Sequence, residues 1–271
     1  MTMGRLIVIP MAGDSSRFEA AGVILPKWTL DLKGHPMLEW AIASLGEIIT
    51  KDTKFMFVTK NNNNHKASLQ SILNNFNLDY EIVNLETNTR GQAETVAKAI
   101  SNQNKLLELV IWNVDTFVNP IALKKIRSKI NQLVVSKLSG DHWSFAKIND
   151  AGFVVETEEK KRISDNASVG LYLFSSIGTY LSNFALYLQE FEVNKKLKSE
   201  LFVAPIYNYL IQKNVKVEIF EVNSIDVFCM GTPTEYDFQI NNNELAWPLV
   251  DFFNPNNPNP KKGSPNHANI D

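Results

Sequence analysis

Residues 8–33 read VIPMAGDSSRFEAAGVILPKWTLDLK, and this stretch decides the fold class. It opens inside a short apolar run, Leu6 to Pro10, of the kind that forms a buried parallel strand. A loop of small residues follows, Ala12-Gly13-Asp14-Ser15-Ser16, ending on Arg17, and Pro26-Lys27 comes soon after. A strand running into such a loop exposes backbone N–H groups with little side-chain obstruction, which suits an anionic phosphate. Two cations of fixed spacing near one strand end, Arg17 and Lys27, can neutralise a polyphosphate. An ordinary βα turn with surface charges fits the loop equally well, so the rest of the chain has to separate the two readings.

Working outward, apolar periodicity predicts strands at residues 4–10, 54–59, 80–85 and 107–114. Helical spacing predicts helices at 36–49, 66–76 and 92–100, with Asn61 to Asn64 as a polar loop. Strands alternating with helices argue for a mainly parallel sheet covered on both faces. The second half reads as α+β, with strands at 143–147, 153–156, 168–174 and 215–222 and helices near 177–190 and 203–213. From about Phe253 the chain turns Pro- and Asn-rich and nearly free of apolar residues, so it cannot bury enough surface to order itself. The expected organisation is one domain over residues 1–245 and a mobile tail over 246–271, open to ordering against a partner subunit in a homo-oligomer.

Bulk properties exclude several classes. The chain has 271 residues, enough for one large α/β domain. A net charge of −2 and a pI near 6.1 give no basic footprint for nucleic acid or an anionic membrane. The single cysteine, Cys229, rules out an internal disulfide and fits a reducing cytoplasm. No apolar run reaches the ~18 residues of a membrane span, and the first residues lack a signal-peptide layout. His35, His65, His142 and His267 lie too far apart for a zinc-hydrolase motif.

The opening stretch resembles the nucleotide-binding loop of the sugar-phosphate nucleotidyltransferases, in which A-G-x-G, then Thr or Ser, then Arg is followed after a spacer by P-K. Ala12, Gly13, Ser16, Arg17, Phe18, Pro26 and Lys27 match, and Ser15 stands where the family has its second glycine. Trp112-Asn113-Val114-Asp115 is similar to the family's strand-ending aspartate. Gly91-Gln92-Ala93 resembles its base- and ribose-binding segment, Glu158-Glu159-Lys160-Lys161 its E-K segment, and Ser168-Val169-Gly170-Leu171-Tyr172-Leu173-Phe174 its acceptor strand. Glu200 falls in the acceptor-glutamate segment, and Gly231-Thr232-Pro233 in the closing motif, with Cys229 at the position of a second metal-binding aspartate. HWSFAK at 142–147 and VAPIYNYLI at 203–211 look like a sub-group of capsule and surface-polysaccharide pathways.

The resemblance implies a three-layer, Rossmann-like (GT-A-like) α/β fold with a mixed, mainly parallel sheet. It implies a cytoplasmic enzyme that joins an NTP to a phosphorylated acceptor, a sugar 1-phosphate above all, and releases pyrophosphate. Arg17 and Lys27 would serve the transferring phosphates, and Ala12, Gly13, Asp14, Ser15 and Ser16 would cradle the nucleotide with Gly91, Gln92 and Ala93. Lys160 or Lys161, Gly170 and Glu200 would hold the acceptor. Asp115, at the strand rim where ligands gather, would bind Mg²⁺, although an aspartate there can also cap a turn. Glu86, a pure hydrogen-bond acceptor, would favour a base with an exocyclic amine, unless the base is read by backbone alone. A nucleotide-sugar-using glycosyltransferase and a non-catalytic homologue remain alternatives at this stage.

Overall fold

The computed structural model describes residues 4–13, 15–60, 63–193 and 200–248. Its first half runs β1 (Arg5–Pro10), α1 (Ser16–Ala20), β2 (Asp31–Leu32), β3 (His35–Pro36), α2 (Met37–Ser44), β4 (Thr53–Lys60), α3 (Asn63–Leu73), β5 (Tyr80–Leu85), α4 (Gln92–Ala99), β6 (Glu108–Trp112) and β7 (Thr116–Val118). The second half runs β8 (Gln132–Ser136), β9 (Ser144–Ile148), β10 (Val154–Glu159), β11 (Ala167–Phe174), α5 (Ile177–Val193), α6 (Ile206–Gln212), β12 (Glu218–Glu221), β13 (Val227–Cys229) and α7 (Pro233–Ile240).

Nine of these strands form one mixed sheet. β1 sits between β4 and β6, parallel to both, and β5 extends the parallel half beyond β4. β11 runs antiparallel to β6 and to β8, and β10 antiparallel to β9, while β12 lies parallel to β8. Strand direction therefore stays mainly parallel, as the periodicity predicts, with reversals confined to the second half. Alternation of side chains sends Leu6 and Val8 to one face of the sheet and Ile7 and Ile9 to the other. α4, α5 and α6 cover the first face, and α2 and α3 the second, giving the expected three layers.

Three local expectations differ. β8 was not legible, because its apolar run Leu133-Val134-Val135 is too short for a period signal; its pairing with β11 and β12 makes the strand. α3 begins at Asn63, so the second half of the expected Asn loop is helix, and Asn61 and Asn62 lie outside the described residues. α2 stops at Ser44, before Gly46, and continues only as a 3₁₀ turn, Gly46–Ile48. Residues 249–271, most of the expected tail, lie outside the described residues, whereas Trp247 stacks on His35 with ring centroids 3.6 Å apart.

Polar ties run through the layers. The Tyr207 hydroxyl, fully buried, lies 2.9 Å from both the Gln132 and the Leu173 carbonyls and joins α6 to β8 and β11. Tyr207→Phe keeps the ring and removes the buried donor these carbonyls share. It should lower unfolding free energy by about 1–2 kcal/mol in urea titration, with the m-value unchanged.

Candidate active site

The carboxyl ends of β1, β4 and β6 open onto a cavity of about 660 Å³. Ala12 and Gly13 from the loop after β1, Lys60 from the end of β4, and Asn113, Val114 and Asp115 from the end of β6 line it. This is the rim where open α/β sheets bind ligands. α1 is only five residues long, so its dipole contributes little, and the cationic character of this end comes from Arg17, Lys27 and Lys60. Asp14 lies outside the described residues.

Lys27 Nζ lies 2.5 Å from Asp115 Oδ2. Burial pushes the Asp115 carboxyl up, but the Lys27 ammonium outweighs that, with help from Arg17, and holds it below its ordinary value. Asp115 is therefore an anion at neutral pH. A side chain added at Gly231 would approach Asp115 Oδ2 to 3.2 Å and Glu235 Oε2 to 3.5 Å, so this glycine keeps the space between the two carboxylates clear. Cys229, at the expected second metal position, has its thiol pushed far up, by burial first and then by Glu235 and Asp115, so it stays protonated. A neutral thiol does not suit Mg²⁺, which takes oxygen ligands. Among the described residues no three His, Cys, Asp or Glu side chains gather to hold a metal unaided. One carboxylate with open space beside it still fits Mg²⁺, which binds through one or two carboxylates together with substrate phosphates.

The start of α4 forms the next wall. Gly91 has φ +147, and a Cβ there would meet the Leu201 carbonyl at 2.4 Å and Glu200 Cγ at 2.7 Å. Only glycine lets the 200–201 segment cross so closely, and hydrogen bonds from Leu201 N to Arg90 O and from Ala93 N to Leu201 O fix the crossing. Gln92 Nε2 donates to Asn113 Oδ1 at 2.6 Å. Asn113 in turn packs against Gly170, where φ is +88 and a Cβ would fall 2.3 Å from Asn113 Nδ2. The β8–β11 register shifts around Gly170, so this glycine is a bulge that admits the Asn113 side chain.

The lining also includes Trp143, Ser144, Glu159, Lys160, Tyr172, Glu200 and Phe202. Glu159 accepts a hydrogen bond from the Ser144 hydroxyl, and burial pushes its acid up, with Glu200 adding to the rise. Lys160 adopts φ +54 and places Nζ 4.6 Å from the centre of the Phe202 ring.

The cavity thus brings together Ala12, Gly13, Arg17, Lys27, Gly91, Gln92, Asp115, Lys160, Gly170 and Glu200. Ser16, Ala93 and Lys161 lie outside its lining; Ala93 is buried, and Ser15 borders a smaller neighbouring hollow. Glu86 is exposed at the end of β5 and also outside the lining, whereas Asn88 and Thr89 are in it. Lys60 and Glu235 were missed by sequence reasoning, and Asn113 and Glu159, though quoted inside motifs, were given no role of their own. The position of Lys60 at the end of a predicted strand was the available signal; nothing local marks Glu235.

Arg90, at the same wall, bonds Glu94 through Nε and Nη2 at 3.0 and 2.9 Å. That bond outweighs the opposing effect of burial and holds the Glu94 acid down to about 2. A depressed carboxylate contributes stability that is present above its unfolded pKa and lost as pH falls through the folded one. Stability of the wild type should drop between about pH 4.5 and pH 2 by on the order of 3 kcal/mol more than that of Glu94→Gln. Chemical denaturation at stepped pH measures the difference.

No protein-family model and no curated protein sequence matches the chain, but solved structures do. The inositol-1-phosphate CTP transferase from T. maritima shares the fold at TM-score 0.68, with 13% identity over 88% of this chain and 95% of that one. A putative glucose-1-phosphate thymidylyltransferase from Bacillus anthracis gives TM-score 0.67, with 18% identity over 88% and 94%. The nucleoside-diphosphate-sugar pyrophosphorylase from Vibrio cholerae RC9 gives TM-score 0.73 and 33% identity, covering 87% of this chain and 100% of that one. With identity of that order across the whole of a solved relative, and with the motif residues of the sequence gathered around one cavity, the chain belongs to the nucleoside-diphosphate-sugar pyrophosphorylase family, the sugar-phosphate nucleotidyltransferases.

Proposed function

We propose that the protein transfers a nucleotidyl group from an NTP to a sugar 1-phosphate, releasing pyrophosphate and forming a nucleoside-diphosphate sugar. The observation that carries this reading is that Arg17 and the paired Lys27 and Asp115 line the same cavity as Lys160 and Glu200. A phosphate oxygen of the acceptor attacks the α-phosphorus. The new P–O bond forms as the α–β bridging P–O bond breaks, and the electron pair leaves with pyrophosphate. No protein nucleophile takes part, because such transfers depend on positioning and charge neutralisation.

In this arrangement Arg17 holds the β- and γ-phosphates and stabilises the leaving group. Lys27 lies between the α-phosphate and the incoming phosphate. Lys160 rather than Lys161 serves the acceptor phosphate, since it alone of the two lines the cavity. The Gly91-Gln92 turn faces the nucleotide, and the exposure of Glu86 favours base recognition through the backbone and the Asn88–Thr89 segment. Asp115 would hold Mg²⁺ together with nucleotide phosphates; when bound, the ion neutralises charge on the transferring phosphate. The likeness of residues 142–147 and 203–211 to the surface-polysaccharide sub-group extends the reading to a cytoplasmic role in that synthesis. Among the described residues no helix is long and apolar enough to cross a membrane.

Alanine at Arg17 or at Lys27 should lower kcat at least ~100-fold with the fold intact, the scale for losing one electrostatic stabiliser. Circular dichroism and pyrophosphate release measure the two quantities, and near-normal turnover in Lys27→Ala would remove Lys27 from the mechanism. Activity should also need a divalent cation. EDTA should abolish it, Mg²⁺ should restore it in the wild type, and Asp115→Asn should not recover. Full turnover in EDTA overturns the metal assignment.

A further inference from the structure

Around Asp115 two cations meet one carboxylate. Lys27 Nζ lies 2.5 Å from Asp115 Oδ2, and Arg17 acts on the same carboxyl. A divalent cation is repelled by such a balance. Nucleotide phosphates bring negative charge, but Arg17 and Lys27 also draw on it, so Asp115 alone is a poor holder for Mg²⁺. The position expected for a second metal carboxylate holds Cys229, and Mg²⁺ takes oxygen ligands rather than a thiol.

Glu235 supplies what is missing. A Cβ built on Gly231 would stand 3.2 Å from Asp115 Oδ2 and 3.5 Å from Glu235 Oε2, so both oxygens look onto one atom-sized gap. Asp115, Cys229, Gly231 and Glu235 all line the cavity. The backbone fixes this meeting: Met230 N donates to Asp115 O at 2.8 Å, and β13 pairs with β7 so that Cys229 stands opposite Thr116. A capping box at the start of α7 orients Glu235. Its Oε2 accepts the Thr232 N–H at 2.9 Å, and the Thr232 hydroxyl accepts the Glu235 N–H at 3.2 Å. Oε1 faces His142 Nε2 at 3.4 Å. A carboxylate has about four lone-pair sites, so these two contacts leave Glu235 with capacity to bind a cation.

We propose that Glu235 is the second carboxylate of the Mg²⁺ site, in the role that Cys229 cannot fill. Asp115 and Glu235 would hold the ion across the gap that Gly231 keeps clear. The proposal rests on the nucleotidyltransferase reading and completes its metal site.

Glutamine serves a capping box as glutamate does, so Glu235→Gln removes the charge and keeps the helix start. The test measures Mn²⁺ binding to the full chain by water-proton relaxation, with the ion alone and with each of ATP, CTP, GTP, UTP and dTTP, and with no sugar phosphate present. Loss of a ligand should cost at least what loss of a supporting partner does, so Glu235→Gln should weaken binding ~10-fold or more with the melting temperature unchanged. Adding Cys229→Asp to Glu235→Gln should recover most of that loss. Wild-type affinity in Glu235→Gln overturns the proposal, as does a loss that Cys229→Asp leaves in place. Absence of Mn²⁺ binding to the wild type under every condition overturns it too. Binding is read here without turnover, so the nucleotidyltransferase reading falls separately, if the wild type releases no pyrophosphate with any sugar 1-phosphate.

Discussion

Arg5 opens β1 beside Glu108, the first residue of β6, and the two side chains meet at 2.8 Å in the interior. Each is almost fully buried, and Glu108 also accepts a hydrogen bond from the Lys129 backbone at 2.6 Å. A buried ion pair adds little net stability over an apolar pair, but it tolerates no misalignment, since either charge left alone is costly. The pair therefore acts on register. With Arg5 opposite Glu108 and Thr53, the strands end together, so the Gly13 loop, Lys60 and Asp115 emerge at one rim. A slip of two residues would keep the apolar faces matched and shift this rim by roughly 6–7 Å. That is enough to part Lys27 from Asp115.

The cavity built on that rim is electrically graded. At the nucleotide end Lys27 and Arg17 surround one carboxylate and keep it ionised despite burial. Elsewhere in the lining, around Lys160, burial pushes the Glu159 acid the other way. The same residue type thus meets opposite surroundings within one cavity.

Two glycines of the cavity lining have steric roles. Gly91 allows residues 200–201 to cross the start of α4, tying Glu200 to that wall of the cavity. Gly170 interrupts β11 and admits Asn113, which Gln92 holds from the other side. The chain Gln92–Asn113–Gly170 joins elements distant in sequence into the floor of the site.

Much of this was written locally. Short apolar runs ending in Gly13 and Asp115 determined a mainly parallel sheet with ligand-binding residues at its carboxyl rim, because buried strands and small-residue loops follow from residue type alone. Arg17, Lys27 and Asp115 were legible from residue type and position, whereas Gly91 and Glu200 were legible only through the resemblance to the family's motifs. The sequence could not show that β8 is a strand, since two neighbours supply its pairing. Nor could it show that Glu86 lies outside the cavity while Asn88 and Thr89 line it, because that depends on where the chain turns between β5 and α4. The partnership of Lys27 with Asp115, the opening between Asp115 and Glu235, and the crossing of Glu200–Leu201 over Gly91 join residues far apart along the chain. Only the tertiary structure decided them, because strand register and glycine-permitted crossings set those distances and no local pattern encodes them.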